Sequence, residues 1–366
     1  MILTINAGSS SLRLAAFEAG PDRLRRVASS HHTRDEGEPR DLLQGFLQEH
    51  GLPEPDRVVH RVVHGGDAFV APCRIDAAVE EGIERLASLA PLHNPAALEL
   101  IRTCRALLGQ KSFQVAVFDT AFFHDLPALA TRYALPGELT ARHGLRRYGF
   151  HGLAHQALWQ SWRERQAVAP QCARIICLQL GSGCSISAIR DGRPLDTSMG
   201  FTPLEGLVMA TRSGDLDPGL LLYLQQQAGL DAQQLEEILN HRSGLLGLSG
   251  SSGDMRELLA SDSPGARQAI GLYCYRAAKY IGAYLTVLGG AEAVVFGGGV
   301  GEHAPEIRAR ILENLHWAGI HLDPAANDAT IGQPGCISAS TSPVSVWVLP
   351  VDEAAIMAQQ ALALRE

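Results

Sequence analysis

Ile2-Leu3-Thr4-Ile5-Asn6-Ala7-Gly8-Ser9-Ser10-Ser11-Leu12-Arg13-Leu14-Ala15-Ala16-Phe17 reads as an apolar strand, a tight polar turn and a second strand. Half a chain later, Ile175-Ile176-Cys177-Leu178-Gln179-Leu180-Gly181-Ser182-Gly183-Cys184-Ser185-Ile186-Ser187-Ala188-Ile189 repeats that plan and runs into the hairpin signal Asp191-Gly192. The echo predicts a duplicated domain, each copy presenting one glycine/serine turn to a shared cleft.

Outward from these two units, short apolar runs alternate with helical patterns. Val58–Val63, Val115–Phe118, Ala293–Phe296 and Val344–Leu349 read as further strands. Asp76–Leu89, Ala96–Leu108, Gln233–Leu239, Ala266–Leu288 and Pro305–Ala318 read as helices. Alternation of this kind predicts an α/β architecture with parallel or mixed sheets. The run from Gly282 to Gly301 is nearly all apolar, but Glu292 interrupts it and glycines crowd its end. It reads as a helix end, a turn and a buried strand rather than a membrane span.

Composition narrows the function. The 366 residues are 46% hydrophobic and 19% charged, with a formal net charge of −8 and no basic stripe, which argues against a nucleic-acid or anionic-membrane partner. Lys111 and Lys279 are the only lysines, and no Gly-Lys-Ser/Thr occurs, so a lysine-based phosphate loop is excluded and arginine must handle phosphate charge. Seven scattered cysteines without a C-x-x-C pair read as free thiols in a reducing compartment. Met1 leads directly into a strand with no basic leader, so a signal peptide is not expected and the predicted location is cytoplasmic.

A third glycine turn, Gly297-Gly298-Gly299-Val300-Gly301-Glu302, lies between the strand Ala293–Phe296 and a helix opening near Pro305. Strand, glycine loop and helix start together suit an anion or nucleotide. The spacing and late position do not fit a dinucleotide fingerprint. Charged residues stand in apolar or glycine-rich surroundings, where charge is expensive unless used: Arg61, Asp119, His151 and Arg212. His60 and His64 on one strand would lie roughly 13 Å apart, too far to share an ion. His151 and His155 lack a third ligand at metal spacing, so zinc is not expected.

In order, these residues resemble the acetate kinase family of the acetate/sugar kinase–Hsp70–actin superfamily. The matching motifs are Asn6-Ala7-Gly8-Ser9-Ser10-Ser11, His60-Arg61-Val62-Val63-His64-Gly65-Gly66, Ala90-Pro91-Leu92-His93-Asn94-Pro95 and Phe118-Asp119-Thr120-Ala121-Phe122. They continue with Arg147-Tyr148-Gly149-Phe150-His151-Gly152, Asp196 to Gly206 and Thr211-Arg212-Ser213-Gly214, and the likeness runs from Asn6 to Glu353.

The resemblance implies two actin-like (ribonuclease H-like) domains with an interdomain active-site cleft. They would cover residues 1–120 and 121–354, with a C-terminal helix at 355–366 packing back on the first. It implies a kinase making acetyl phosphate and ADP from acetate and ATP by direct in-line transfer, as a homodimer. Asn6 and Glu353 would hold Mg²⁺, with Mn²⁺ as the alternative ion. Arg61, Arg212, His151 and His93 would act on the transferring group, and Asp119 is the family's acid/base residue. Val63, Leu92, Phe150 and Pro203 would line the acyl pocket beside Arg61. The nucleotide would fall to Ser9, Ser11 and Arg13, to Gln179, Leu180, Gly181, Ser182 and Gly183, to Asp254, Met255 and Arg256, and to Gly299, Val300, Gly301, Glu302 and His303.

A carboxylate of ordinary pKa is ionised at neutral pH and needs no general base, so Asp119 reads instead as orienting Mg²⁺ or an arginine. Arg13, Gln179, Ser182 and His303 stand where the family has lysine, histidine, asparagine and asparagine, and the stretch from Phe17 to Arg57 is shorter than usual. The substituted positions touch the phosphate donor. A propionate or butyrate kinase, a pyrophosphate-using homologue and a non-catalytic nucleotide-binding regulator are the alternatives.

Overall fold

The computed structural model describes residues 1–8, 11–20, 24–33, 36–91, 93–109, 112–167 and 172–364. The chain divides into two compact units. Unit 1 holds Met1–His124, Phe150–Leu153 and Asp352–Glu366; unit 2 holds Asp125–Gly149 and Ala154–Val351.

Unit 1 is built on β1 (Ile2–Ala7), β2 (Ser11–Ala19), β3 (Leu24–Thr33), β4 (Arg57–Val62), β5 (Cys73–Arg74) and β6 (Phe113–Phe118), in the order β3-β2-β1-β4-β6-β5. β1, β2 and β3 form an antiparallel meander, β4 and β6 run parallel to β1, and β5 closes the edge antiparallel. All six β1 residues are buried. Helix Asn94–Leu108 packs on β4, and helix Glu353–Ala363 packs on β1, β3, β4 and β6. Covering both faces in this way requires the near-continuous apolar runs that the central strands show.

Unit 2 repeats the plan strand for strand. β7 (Arg174–Leu180), β8 (Cys184–Arg190), β9 (Arg193–Thr197), β10 (Ala293–Gly297), β11 (Gly335–Cys336) and β12 (Ser345–Val348) lie in the order β9-β8-β7-β10-β12-β11. The parallel and antiparallel pairings are the same, including an edge strand that precedes its neighbour in sequence. Each unit is therefore an actin-like, ribonuclease H-like domain, and the core is duplicated. Helix Pro264–Leu288 packs on β7, β8 and β9. Its start is capped by Ser263, whose hydroxyl accepts from the Ala266 N–H, and it stops at left-handed Gly289.

Some predicted elements differ in extent. The helix expected over Pro305–Ala318 ends at Leu312, and a single 3₁₀ turn follows at His316–Ala318. The third glycine turn is not a loop. A helix already spans Gly298–His303, because the Glu302 carboxylate accepts the Gly298 N–H at 2.9 Å and closes the first turn. Among the described residues, no helix is long and apolar enough to cross a membrane.

Candidate functional site

Parallel strands deliver side chains to their C-terminal ends, where α/β proteins place chemistry. In unit 1, Ile5 pairs with His60 and Arg61 with Val117, so Asn6, Arg61 and Asp119 emerge together at the ends of β1, β4 and β6. They are physically joined. Arg61 Nε donates to both Asp119 oxygens at 3.1 Å, and Nη2 donates to Oδ2 at 2.5 Å. Arg61 Nη1 donates to Asn6 Oδ1 at 2.9 Å, and Asn6 Nδ2 donates to Glu353 Oε2 at 2.6 Å. Glu353, the first residue of its helix, lies 3.9 Å from Arg61.

Asp119 is fully buried. Burial pushes its carboxyl upward, against the lowering effect of the Arg61 guanidinium and its hydrogen bonds. Burial also opposes the Arg61 charge, but Asp119 and then Glu353 outweigh it and hold Arg61 above its ordinary value. The proton therefore stays on the guanidinium. This is a charge-assisted pair in which Asp119 fixes the plane of Arg61.

The segment carrying His151 returns to the same place. His151 has φ +58°, a left-handed backbone that non-glycine residues adopt at a cost, and its N–H reaches the Asp119 carboxylate. The next N–H, from Gly152, donates to the Asp119 carbonyl at 3.1 Å. A Cβ at Gly152 would lie 2.0 Å from that carbonyl oxygen, so only glycine allows the approach. Asp119 is thus clamped on both sides, and His151 itself is half-buried.

The segment that follows Arg61 is equally fixed. Val63 and Phe150 are buried, and the His64 ring stands edge-on to Phe150 with centroids 5.4 Å apart. His64 Nδ1 accepts the Gly66 N–H at 3.0 Å, which leaves the ring proton on Nε2. Asn94 is completely buried and bonds both the N–H and the carbonyl of His64 at 3.1 Å, while Thr120 accepts the Gly65 N–H at 3.0 Å. Neither Asn94 nor Thr120 was expected as a site residue, although both sit inside the quoted motifs. His93, half-buried, precedes helix Asn94–Leu108. Leu92 and Ser9 lie outside the described residues. Ser11 opens β2, and Arg13 is exposed opposite Asn6.

In unit 2 the corresponding strand ends carry different chemistry. Gln179 pairs with Gly297, so the place of Asn6 is taken by Gln179 and that of Arg61 by glycine. A Cβ at Gly297 would press within 2.6 Å of Leu158 and Val351. Gln179 Oε1 is buried with no partner among the described residues, and Nε2 lies against Gly298.

A cavity of about 730 Å³ opens beside this strand end. Of the expected nucleotide residues it brings together Gly181, Ser182, Asp254, Met255, Arg256, Gly299, Val300 and His303, joined by Ala210, Leu245 and Leu259. Gln179, Leu180, Gly183, Gly301 and Glu302 are not among its lining residues. Glu302 instead accepts the Gly298 and Val351 N–H groups at 2.9 and 3.1 Å, holding the glycine turn in place. Asp254 caps helix Met255–Leu259 and pairs with Arg256 at 2.5 Å; the Arg256 hydrogen bonds are the main influence holding its carboxyl below the usual range.

Arg212 stands in a loop of unit 2 and donates to the Pro203 carbonyl at 3.1 Å. Among the described residues no carboxylate pairs with it, and burial pulls it below its ordinary value. A mostly buried guanidinium without a counter-ion is suited to receive an anion. Among the described residues, no three His, Cys, Asp or Glu side chains cluster as a metal site.

The chain matches the family model described as the acetokinase family over residues 40–359. An acetate kinase of Solibacter usitatus is 42% identical, with 98% of this chain and 96% of the relative covered. The crystal structure of Porphyromonas gingivalis acetate kinase matches with a TM-score of 0.88 at 36% identity, covering 99% of this chain and 98% of that one. A propionate kinase structure from Francisella tularensis matches with a TM-score of 0.86, also at 36% identity, covering 98% of each chain.

Proposed function

The chain belongs to the acetokinase family, kinases that transfer a phosphoryl group to a carboxylate, and from that premise we propose that it converts acetate and ATP to acetyl phosphate and ADP. The observation that carries the proposal is Arg61, a half-buried cation held by three bonds that it donates to Asp119 and flanked by Asn6 and Glu353. An acid carboxylate and a nucleotide tail repel each other, so catalysis must supply fixed positive charge at their meeting point. Arg61 grips the carboxylate, and Arg212, lacking a counter-ion among the described residues, takes the charge of the transferring group. An acid oxygen attacks the terminal phosphorus, the bond to the bridging oxygen breaks, and ADP departs; charge balances with no proton moved. Asp119 orients Arg61 and is not a base, and His151 donates to the phosphoryl oxygens.

The donor set of one carboxylate and one amide fits an ion that keeps waters and phosphate oxygens as its other ligands. Glu353 and Asn6 would hold Mg²⁺, or Mn²⁺ in its place, which neutralises phosphate charge when bound.

The cavity in unit 2 argues for a nucleotide over pyrophosphate. Leu245, Met255, Leu259, Val300 and Ala304 give it an apolar floor suited to a base and useless to an inorganic anion. The Arg13, Gln179, Ser182 and His303 differences then tune affinity for the donor without changing its class.

The enzyme works in the cytoplasm as a homodimer, without nucleic-acid or membrane partners. Seven free cysteines support the compartment. Helix Pro218–Gln227 buries none of its residues, and Leu222 and Tyr223 are 56% and 60% exposed, an apolar face that a second copy would cover.

The test is hydroxylamine trapping of acyl phosphate across acetate, propionate and butyrate, with ATP or pyrophosphate as donor. ATP-dependent acetyl hydroxamate is the expected product. Product with pyrophosphate alone, or none with any donor, removes the reading.

A further inference from the structure

The loop that carries Arg212 is closed at its neck by a reciprocal pair. Gly206 N–H donates to Asp215 Oδ1 at 2.8 Å, and Asp215 N–H donates to the Gly206 carbonyl at 3.0 Å. The neck is tight. Gly214 has φ +69°, and a Cβ there would lie 2.5 Å from the carbonyl oxygens of Gly206 and Leu207. The second Asp215 oxygen is spoken for as well: it accepts from Tyr280 Oη at 2.9 Å and from Arg276 Nη1 at 3.1 Å. Both donors lie one turn apart on helix Pro264–Leu288, which packs on β7, β8 and β9.

One carboxylate therefore ties both ends of the Gly206–Asp215 loop to the long helix Pro264–Leu288 of unit 2. Within the loop, the Met209 N–H donates to the Arg212 carbonyl at 3.2 Å, and the Arg212 side chain returns to the Pro203 carbonyl. The guanidinium itself has no carboxylate partner among the described residues to set its direction. Apart from its bond to the Pro203 carbonyl, its position comes from the backbone that carries it.

We propose that Asp215 is a positioning residue for the phosphoryl transfer, acting through Arg212 by locking the neck of its loop to Tyr280 and Arg276. The inference rests on the reading of Arg212 as the group that takes the charge of the transferring phosphoryl. Misplacing a transition-state contact by about 1 Å costs on the order of 10²-fold in rate.

Double-mutant kinetics test it, with Asp215→Ala, Asp215→Asn, Tyr280→Phe, Arg212→Ala and the Asp215→Ala/Arg212→Ala pair. Asp215→Ala should lower kcat by about 10²-fold while the nucleotide KM stays within about threefold. Asp215→Asn keeps an acceptor for Gly206 and loses the ionic tie to Arg276, and Tyr280→Phe loses one donor. Each should cost about tenfold, and these milder variants carry the test if the alanine variant does not fold. In the Arg212→Ala background, Asp215→Ala should lower kcat by no more than about threefold further, because the group it positions is gone. Full multiplication of the two losses would show a general structural role and overturn the inference. So would wild-type kcat in Asp215→Asn and Tyr280→Phe alongside a crippled Arg212→Ala. Wild-type turnover in Arg212→Ala would instead overturn the reading beneath it, and the inference with it.

Discussion

Replacing Asp119 by asparagine removes one charge and leaves the shape, which makes it the sharpest probe of the Arg61 site. Arg61 loses a carboxylate that accepts three N–H contacts, at 3.1, 3.1 and 2.5 Å. The amide offers one oxygen in return and turns an N–H₂ toward the guanidinium. Breaking a buried ion pair by removing one partner costs about 3–5 kcal/mol. The surviving acceptor, with Asn6 Oδ1 at 2.9 Å and Glu353 at 3.9 Å, offsets part of this, so a stability loss of about 3 kcal/mol is expected. The kinetic loss should be larger in kind. Arg61 would swing toward Glu353, away from the acid, lowering kcat by about 10²–10³-fold and raising the acid KM. The nucleotide KM should stay within about threefold. Steady-state kinetics by hydroxamate formation over a range of pH gives all three numbers. Because both oxygens of Asp119 are committed to Arg61, extra Mg²⁺ should not restore activity, and the pH profile should keep its shape. A variant within about threefold of wild-type kcat would refute the reasoning. So would a pH limb present in wild type and abolished in the variant, which would make Asp119 an acid/base catalyst.

Three further outcomes follow from the same geometry. His60 is fully buried, and burial, partly offset by its bond to Gln114, pushes it down to about 4. The unfolded chain takes up this proton below about pH 6.5 and the folded one resists until about pH 4, so stability is complete above that window and falls through it by up to about 3 kcal/mol; urea unfolding of His60→Gln should show a shallower pH slope than wild type. Val63 is buried beside Arg61 on the expected acyl wall, where each accommodated methylene contributes about 0.8 kcal/mol. Acetate and propionate should serve within about tenfold of each other with butyrate well below, and Val63→Ala should raise the relative use of the longer acids; an unchanged ranking would remove Val63 from the wall. Asp254→Ala loses the cap of helix Met255–Leu259 and its hold on Arg256, so the nucleotide KM should rise about tenfold with kcat within about threefold, and an unchanged KM would take the nucleotide out of that cavity.

The duplicated plan was legible because Ile2–Ala7 and Arg174–Leu180 lie at sheet centres. Burial on both faces there demands continuous apolar runs, and a glycine turn must follow each. Leu24–Thr33 gave no such signal. It is an edge strand whose residues are mostly exposed or half-buried, and its sequence, Leu-Arg-Arg-Val-Ala-Ser-Ser-His-His-Thr, is set by solvent. The two-residue strands Cys73–Arg74 and Gly335–Cys336 are too short to carry a pattern. Gly298–His303 is helical against its own propensity, since three of its six residues are glycine and Glu302 supplies the closing contact.

At the site, charged residues in apolar runs announced themselves by their cost, which is why Arg61, Asp119 and Arg212 could be singled out. Which residue holds which could not be read. The Asp119–Arg61–Asn6–Glu353 chain links positions up to 347 residues apart, and Asn94, Thr120 and Asp215 support it or its counterpart through backbone groups that leave no mark in sequence.

The central claim is that an oxygen of the acid forms the new bond to the terminal phosphorus of ATP. Acetate labelled with ¹⁸O in both carboxylate oxygens, incubated with ATP, Mg²⁺ and the enzyme and trapped by hydroxylamine, reports the route. Hydroxylamine attacks the acyl carbon and breaks its bond to the bridging oxygen. One labelled oxygen should then appear in the released inorganic phosphate, and the other should stay in the hydroxamate. Label found in AMP, or phosphate free of label, would contradict the account.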